Sequence, residues 1–394
     1  MRLVLGVSGG IAAYKAAYLT SRLVQQGYDV QVIMSQAATE FVQPLTFSAL
    51  TQRPVGLFSQ ADPVGPMSHV ALAHWADALL YAPVTANLLS RLAVGRGDDL
   101  LSLVYLGFSG PRLFAPAMEP EMWSHPAVVR NVKQLTLDGV QWVGPNYGRM
   151  ASGFHGQGRL AEPDEIIDAL VGLNTPKDLL GRRVLITAGA TYEYFDPVRL
   201  LTNPSTGTMG LTLARHALRR GATVDLVVGP TVKSLGRGLD QARLKRVVSA
   251  DDMLQACLSW LPQADFVVAA AAVSDFKPKV VLSDKAHKED IALTWQMERT
   301  ADIVSELVRK KRRGTRIIGF AAETDRLVES GQRKLRDKGL DWIVANAVGA
   351  EQGFADFPYR ATILGQGGVE EIVEGKEATA QAILNRLAKV DIEG

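Results

Sequence analysis

The chain has 394 residues, with 43 Lys+Arg against 41 Asp+Glu and one cysteine. An apolar share of 47% with 21% charged residues fits a folded globular protein and excludes a disordered chain, and the near-balanced charge requires no nucleic-acid or membrane partner. A single thiol excludes a disulfide framework and any cysteine-based zinc or iron–sulfur site, and it points to a reducing, cytoplasmic setting.

No apolar run approaches the ~18–20 residues that span a bilayer. Residues 1–7 read as a first strand rather than a signal segment, because Gly6, Gly9 and Gly10 interrupt the apolar stretch and Lys15 follows. The string Gly6-Val7-Ser8-Gly9-Gly10 leads into a helix pattern over residues 11–26. Glycine there allows backbone to approach a phosphate at a helix N-terminus. The string also fits G-x-S-x-G, the nucleophile elbow of α/β-hydrolases, but that fold places several strands ahead of its nucleophile. A phosphate-binding turn is the first reading, a structural turn the second, and a Ser8 nucleophile the third.

Short apolar runs recur at helical separations over residues 30–34, 78–82 and 113–115. His69 precedes the run at 78 and reads either as an acid or base at a strand's ligand end or, taken alone, as a structural histidine. None of the six histidines has H-E-x-x-H spacing. Residues 173–181 are short, polar and carry Pro and Gly, which separates a domain over 1–172 from one over 183–394 by a linker at 173–182. Residues 1–180 hold 12 basic and 14 acidic side chains, the remainder 31 and 27. The sparsely charged first half is therefore the expected site of oligomer contacts.

The second half opens like the first, with an apolar run at 184–187 ending at Gly189, then runs at 224–228, 266–270, 317–321 and 342–345. Continuous apolar strands alternating with helices imply parallel sheets covered on both faces. The expected fold is α/β, two tandem doubly wound domains with ligands beyond the carboxyl ends of the strands. Residues 203–210 (NPSTGTMG) read with equal weight as an anion site or an ordinary cap of the next helix. The run 309–313 (RKKRR) reads as the solvated end of a helix starting near Ala301 rather than a nucleic-acid patch, and Cys257 as a core thiol.

Several stretches together resemble a known family. In the first half they are GVSGGIAAYK (6–15), His69 with Trp75-Ala76-Asp77, APVTAN (82–87), Pro116-Ala117-Met118 and GQGRLAEP (156–163). In the second they are GATYEYFDPVRLLTN (189–203), AAAVSD (270–275), GFAAET (319–324) and Val344-Ala345-Asn346. The chain resembles the bifunctional coenzyme A biosynthesis family, in which a flavin-dependent phosphopantothenoylcysteine decarboxylase is fused to a phosphopantothenate–cysteine ligase.

The resemblance implies a flavodoxin-like first domain that binds FMN through Ser8, Gly9, Gly10, Ser35, Thr85 and Ser102, with His69 catalytic. In the family reaction, flavin oxidises the cysteinyl thiol toward a thioaldehyde, the neighbouring carboxylate leaves as carbon dioxide, and flavin reduces the resulting ene-thiol. Two positions depart from the family. Glu119 replaces an Asn that contacts the substrate carboxylate, where two like charges ~4 Å apart repel by ~1–4 kcal/mol. Ser152 replaces the Cys proton donor, with His155 as a substitute donor, so the product is either the saturated thiol or the ene-thiol.

For the second domain the resemblance implies formation of an acyl-cytidylate from 4′-phosphopantothenate and CTP, followed by attack of the cysteine amine. Asn203 would hold the acyl-cytidylate and Arg199 would assist at a dimer contact. Ala271, Asp275, Phe320, Lys334 and Lys338 would face the nucleotide, Lys285 would neutralise phosphate charge, and Mg²⁺ would accompany the triphosphate. Here the departures are Thr208 and His287 in place of lysines, with Lys288 as a replacement cation, and Arg299-Thr300-Ala301-Asp302-Ile303 for Lys-Asn-Pro-Asp-Ile. Trimers of the flavin half and dimers of the ligase half imply a homo-oligomer, a dodecamer. The other readings are an altered flavoprotein half with an active ligase, and a flavoprotein-like scaffold without turnover.

Overall fold

Arg2–Val7 (RLVLGV) is aliphatic without alternation and five of its six residues are buried, as expected of a central strand covered on both faces. In the computed structural model, residues 1–57, 68–236, 238–285, 295–348 and 359–390 are described. They form two compact units, Met1–Thr175 and Pro176–Gly394.

The first unit begins β1 (Arg2–Val7), α1 (Ala13–Gln25), β2 (Asp29–Met34), α2 (Pro44–Thr51), β3 (Gly56–Leu57) and α3 (His69–Trp75). It continues β4 (Ala78–Val84), α4 (Ala86–Ala93), α5 (Leu100–Gly107), β5 (Arg112–Pro116), α6 (Pro120–Ser124) and α7 (Pro126–Leu137). It ends β6 (Val140–Trp142), β7 (Asn146–Arg149), β8 (His155–Arg159) and α8 (Pro163–Leu173). The main sheet is parallel with order β3-β2-β1-β4-β5-β6. With the two-residue β3 set aside, this is the flavodoxin order, whose switch point lies between β1 and β4.

Alternate residues of β1 feed opposite faces. Leu3, Leu5 and Val7 pack with Ala13, Ala16 and Leu19 of α1 and Ile166 of α8. Val4 packs on the other face with Leu72 of α3, Leu89 of α4 and Leu101 of α5. Tyr81 stacks on Phe114 in that layer at 5.0 Å, and its hydroxyl donates to the Leu101 carbonyl at 2.6 Å. Outside the sheet, β7 and β8 form an antiparallel hairpin.

The second unit begins β9 (Arg183–Ala188), β10 (Glu193–Tyr194), β11 (Leu200–Leu201), α9 (Thr208–Arg219), β12 (Thr223–Val228), β13 (Arg243–Arg246) and α10 (Ala250–Trp260). Next come β14 (Phe266–Ala269), β15 (Phe276–Pro278), β16 (Met297–Arg299), α11 (Ile303–Lys310), β17 (Arg316–Glu323) and α12 (Leu327–Lys338). It closes with β18 (Trp342–Ala347), β19 (Arg360–Gly365), β20 (Gly368–Glu374) and α13 (Lys376–Ala388). Its eight-stranded sheet has order β13-β12-β9-β14-β17-β18-β19-β20. The switch point here lies between β9 and β14.

Two features differ from the sequence reading. The sheet is not parallel throughout, because β19 pairs antiparallel with β18 and β20 antiparallel with β19. The stretch Gly368–Glu374 carries three glutamates, which hides it from a search for apolar runs. The basic run is exposed at four of its five residues around the end of α11, as read, but its pairing was not foreseen. Arg309 and Lys310 meet Glu306, Lys311 meets Asp341, and Arg312 meets Asp265, so four of its five cations are paired with carboxylates. Cys257 is buried on α10, and burial pushes its thiol up to about 12. Among the described residues no helix is long and apolar enough to cross a membrane.

Candidate functional site

The first unit has a cavity of about 1290 Å³ at its switch point. Ser8 follows β1 and Thr85 follows β4, and the two loops are tied together. Ser8 Oγ donates to the Pro83 carbonyl at 2.8 Å and accepts from the Thr85 amide at 3.0 Å. Ser35, after β2, caps a short 3₁₀ turn by accepting from the Ala38 amide at 3.2 Å, and Thr85 caps α4. Turns that open helices therefore converge on one rim, and the first turn of a helix is the usual setting for an anion. Gly9 is sterically required there, since a Cβ would sit 2.5 Å from the Ala37 Cβ.

Ser8, Gly9, Gly10, Ser35, Thr85 and Glu119 line this cavity. Ser102 does not. It is buried at the start of α5, where its hydroxyl and amide both bond Asp99 in a capping box. Asp99 itself lines the cavity and pairs with Arg91 at 2.7 Å. His69 is half-buried at the first turn of α3 and is not among the lining residues. Ser152 and His155 are exposed on the β7–β8 hairpin and are also outside the lining set, although the adjoining Met150 and Ala151 are in it.

The two positions that departed from the resembling family meet each other. Ser152 Oγ donates to Glu119 Oε2 at 2.9 Å, linking the hairpin tip to the start of α6. Sequence reasoning missed other lining residues, among them Tyr14, Lys15, Arg149, Arg159 and Glu162. Lys15, Arg159 and Glu162 stood inside the resembling strings, but nothing in their order shows that Glu162 holds both cations.

In the second unit the switch point gathers part of the expected set. Ala190 bridges Ala272 across the loops after β9 and β14, and the Ala271 amide donates to Thr187 Oγ1 at 3.0 Å. Asn203 Nδ2 donates to the carbonyls of Ala272 at 3.3 Å and Val273 at 3.1 Å, which places it beside Ala271. Gly207 precedes α9 at φ 80°, and a Cβ there would meet the Gly189 nitrogen at 2.8 Å. Backbone thus approaches backbone where that helix begins. Asp275 is exposed on the same loop, and Phe320 is partly buried on β17.

The remaining residues are more dispersed. Arg199 pairs with the buried Asp196, whose Oδ1 also accepts from the amides of Val198 and Arg199 at 2.7 Å. Lys334 meets Glu323 at 2.7 Å, and Lys338 meets Asp302 at 2.9 Å. Burial alone would raise Asp302, but bonds from Lys338 and the Ser305 amide overturn this and lower it. Lys285 is exposed, while His287 and Lys288 lie outside the described residues. Thr208 begins α9 with its hydroxyl 2.8 Å from that of Thr206. Among the described residues no group of three or more metal-binding side chains is gathered.

Comparison with known proteins matches each unit separately. Residues 1–175 match the family model described as Flavoprotein, and residues 179–390 the DNA/pantothenate metabolism flavoprotein C-terminal domain. The chain is similar to the Coenzyme A biosynthesis bifunctional protein CoaBC of Bacillus subtilis, 44% identical over 88% of this chain and 86% of that protein. It is similar to the protein of the same name from Vibrio cholerae, 40% identical over 98% and 97%. Among solved structures, the C-terminal domain of a Coenzyme A biosynthesis bifunctional protein CoaBC is 36% identical over 54% of this chain and 96% of that chain, with a TM-score of 0.44.

Proposed function

The chain belongs to the family of coenzyme A biosynthesis bifunctional proteins, enzymes with decarboxylase and ligase activities, and from this premise we propose a division of labour between its two units. The first unit binds FMN and decarboxylates phosphopantothenoylcysteine. The second joins 4′-phosphopantothenate to cysteine with CTP and Mg²⁺. The observation that carries the reading is the cavity at the first switch point, with Ser8, Gly9, Gly10, Ser35 and Thr85 on one rim. Both alternatives, an altered flavoprotein half and a scaffold without turnover, are less favoured, because the match spans both catalytic halves.

The residues fit a flavin phosphate: amide-rich turns, a serine, a threonine and a glycine whose missing side chain leaves the backbone open. The volume of about 1290 Å³ exceeds the ~300–1,000 Å³ of most small-molecule sites, which leaves room for a substrate beside the cofactor. Bound flavin supplies the two-electron redox chemistry at the thiol-bearing carbon. The protein places the substrate and moves protons. Glu119 faces the cavity, and its Oε2 accepts from Ser152 Oγ, which fixes the carboxyl group against the hairpin. His69 lies outside the cavity of its own chain, and trimeric packing of the flavin units would supply it from a neighbouring copy.

In the second unit, Asn203 would steady the acyl-cytidylate from beside Ala271, with α9 offering its N-terminus to phosphate. Lys334 and Lys338 can neutralise phosphate only by releasing Glu323 and Asp302, whereas Lys285 needs no such exchange among the described residues. Dimers of this unit, with Arg199 at the contact, and trimers of the first give the proposed dodecamer. One experiment tests the whole reading. Purified full-length protein is assayed for flavin absorbance near ~450 nm, for CTP-dependent pyrophosphate release with phosphopantothenate and cysteine, and for the mass of the decarboxylation product. Protein that neither holds flavin nor releases pyrophosphate overturns it.

A further inference from the structure

The charges lining the first cavity are mostly spoken for. Glu162 meets Lys15 at 3.5 Å and also pairs with Arg159. Arg91 meets Asp99 at 2.7 Å and Asp98 at 3.5 Å. Glu119 accepts a hydrogen bond from Ser152. Arg149 remains: it lines the cavity, it is exposed, and among the described residues its guanidinium has no acidic partner and no hydrogen bond.

Its backbone, by contrast, is firmly placed. Arg149 is the last residue of β7 and lies opposite His155 on β8. The turn beyond it is closed by the Met150 amide donating to the Phe154 carbonyl at 2.8 Å. The hairpin is tied down twice, by the Met118 amide donating to the Gly158 carbonyl at 3.0 Å and by Ser152 on Glu119. A fixed stem carrying an uncommitted planar cation at a cavity mouth is suited to an incoming anion with several oxygens.

The substrate of the decarboxylase reading has two anionic ends, a carboxylate and a phosphate monoester. The carboxylate leaves as neutral carbon dioxide, so a cation gripping it would stabilise the ground state more than the transition state and slow the step. The phosphate keeps its charge throughout, and a grip on it contributes equally to both states. We propose that Arg149 receives the terminal phosphate of the decarboxylase substrate and so selects phosphorylated over unphosphorylated arms. This inference rests on the decarboxylase reading above.

The test compares wild-type, Arg149→Gln and Arg149→Lys holoenzymes, as full chains, with phosphopantothenoylcysteine and with its analogue lacking the phosphate. Arg149→Gln is expected to raise KM for the phosphorylated compound at least about 10-fold, with kcat and flavin content unchanged. KM for the analogue stays as in the wild type, and Arg149→Lys recovers part of the loss. Titration with 4′-phosphopantetheine, followed by the flavin absorbance so that only this site reports, is expected to show the same weakening. An equal change for both compounds, loss of flavin from the variant, or no change overturns the assignment. Wild-type protein that converts neither compound overturns the underlying reading instead, and the flavin titration then judges Arg149 alone.

Discussion

Replacing Ser8 with alanine probes the junction on which the first cavity is built. Ser8 is 2% exposed, and its Oγ is the only described link between the loop after β1 and the amide of Thr85 after β4. The substitution removes two bonds with unequal consequences. The Pro83 carbonyl keeps the Ser8 amide, which donates to it at 3.2 Å, whereas the Thr85 amide is left without that acceptor. One orphaned donor in a partly buried site costs about 1–3 kcal/mol. At ~2–4 °C per kcal/mol for a unit of this size, the expected loss in Tm is about 2–12 °C. The assay is thermal unfolding followed by flavin fluorescence, with flavin content measured on the same samples. Flavin retention falls with the Tm, because the amides facing the cofactor are no longer held. A Tm unchanged to within about 1 °C together with full flavin content would refute the reasoning, since the sheet alone would then hold the junction. Lost turnover with Tm and flavin unchanged would instead assign Ser8 a chemical role.

Three further outcomes are expected. Ser152→Cys restores a thiol donor beside Glu119, and the rate of saturated-thiol formation, followed by mass analysis of the decarboxylation product, should rise above that of the wild type; an unchanged rate means position 152 is not the donor site. Asn203→Ala frees the carbonyls of Ala272 and Val273 and should reduce CTP-dependent ligation by at least about 10-fold while decarboxylation of supplied phosphopantothenoylcysteine is retained; parallel loss of both activities would contradict the division of labour. Glu193→Gln addresses pH. Burial raises the Glu193 carboxyl above its ordinary range, partly offset by bonds from the Ala250 amide and the Thr191 hydroxyl. A raised native value means that its stabilising contribution is present below the unfolded value and is lost as pH rises through the native one. The glutamine variant should therefore gain Tm over the wild type on going from about pH 4 to pH 7, and a difference that is flat across that range would count against the assignment.

The central parallel strands were legible because their apolar runs are continuous, as in Arg2–Val7 and Phe266–Ala269, and because strands covered on both faces leave no polar alternation to confuse the pattern, whereas the short edge strands β3, β6 and β13 carried no such run and were missed. The Gly-rich turn after β1 was equally legible, and Ser8, Gly9 and Gly10 do line the cavity. The antiparallel β19–β20 pair was hidden by its glutamates. Ser102 shows a different limit. A serine next to Asp99 at a helix start satisfies the backbone before it can serve a ligand, and sequence order does not reveal which use prevails. The Glu119–Ser152 contact spans 33 positions and depends on a short hairpin rich in glycine, which carries no periodic signal. Arg149 was overlooked for a related reason: its distinction is that neighbouring cations are paired, and pairing is a property of space rather than of order.

The buried thiol on α10 has a bearing on the substrates. Both activities handle sulfur compounds, since cysteine enters the ligase and a thiol-bearing arm leaves the decarboxylase. The thiolate, not the thiol, attacks disulfides, and burial pushes the Cys257 thiol up to about 12, well above neutral pH. It is also shielded from solvent. The enzyme therefore offers no attachment point for cystine or for an oxidised form of its own product, and a cell passing through oxidative stress can change the redox state of these metabolites without forming mixed disulfides on the catalyst.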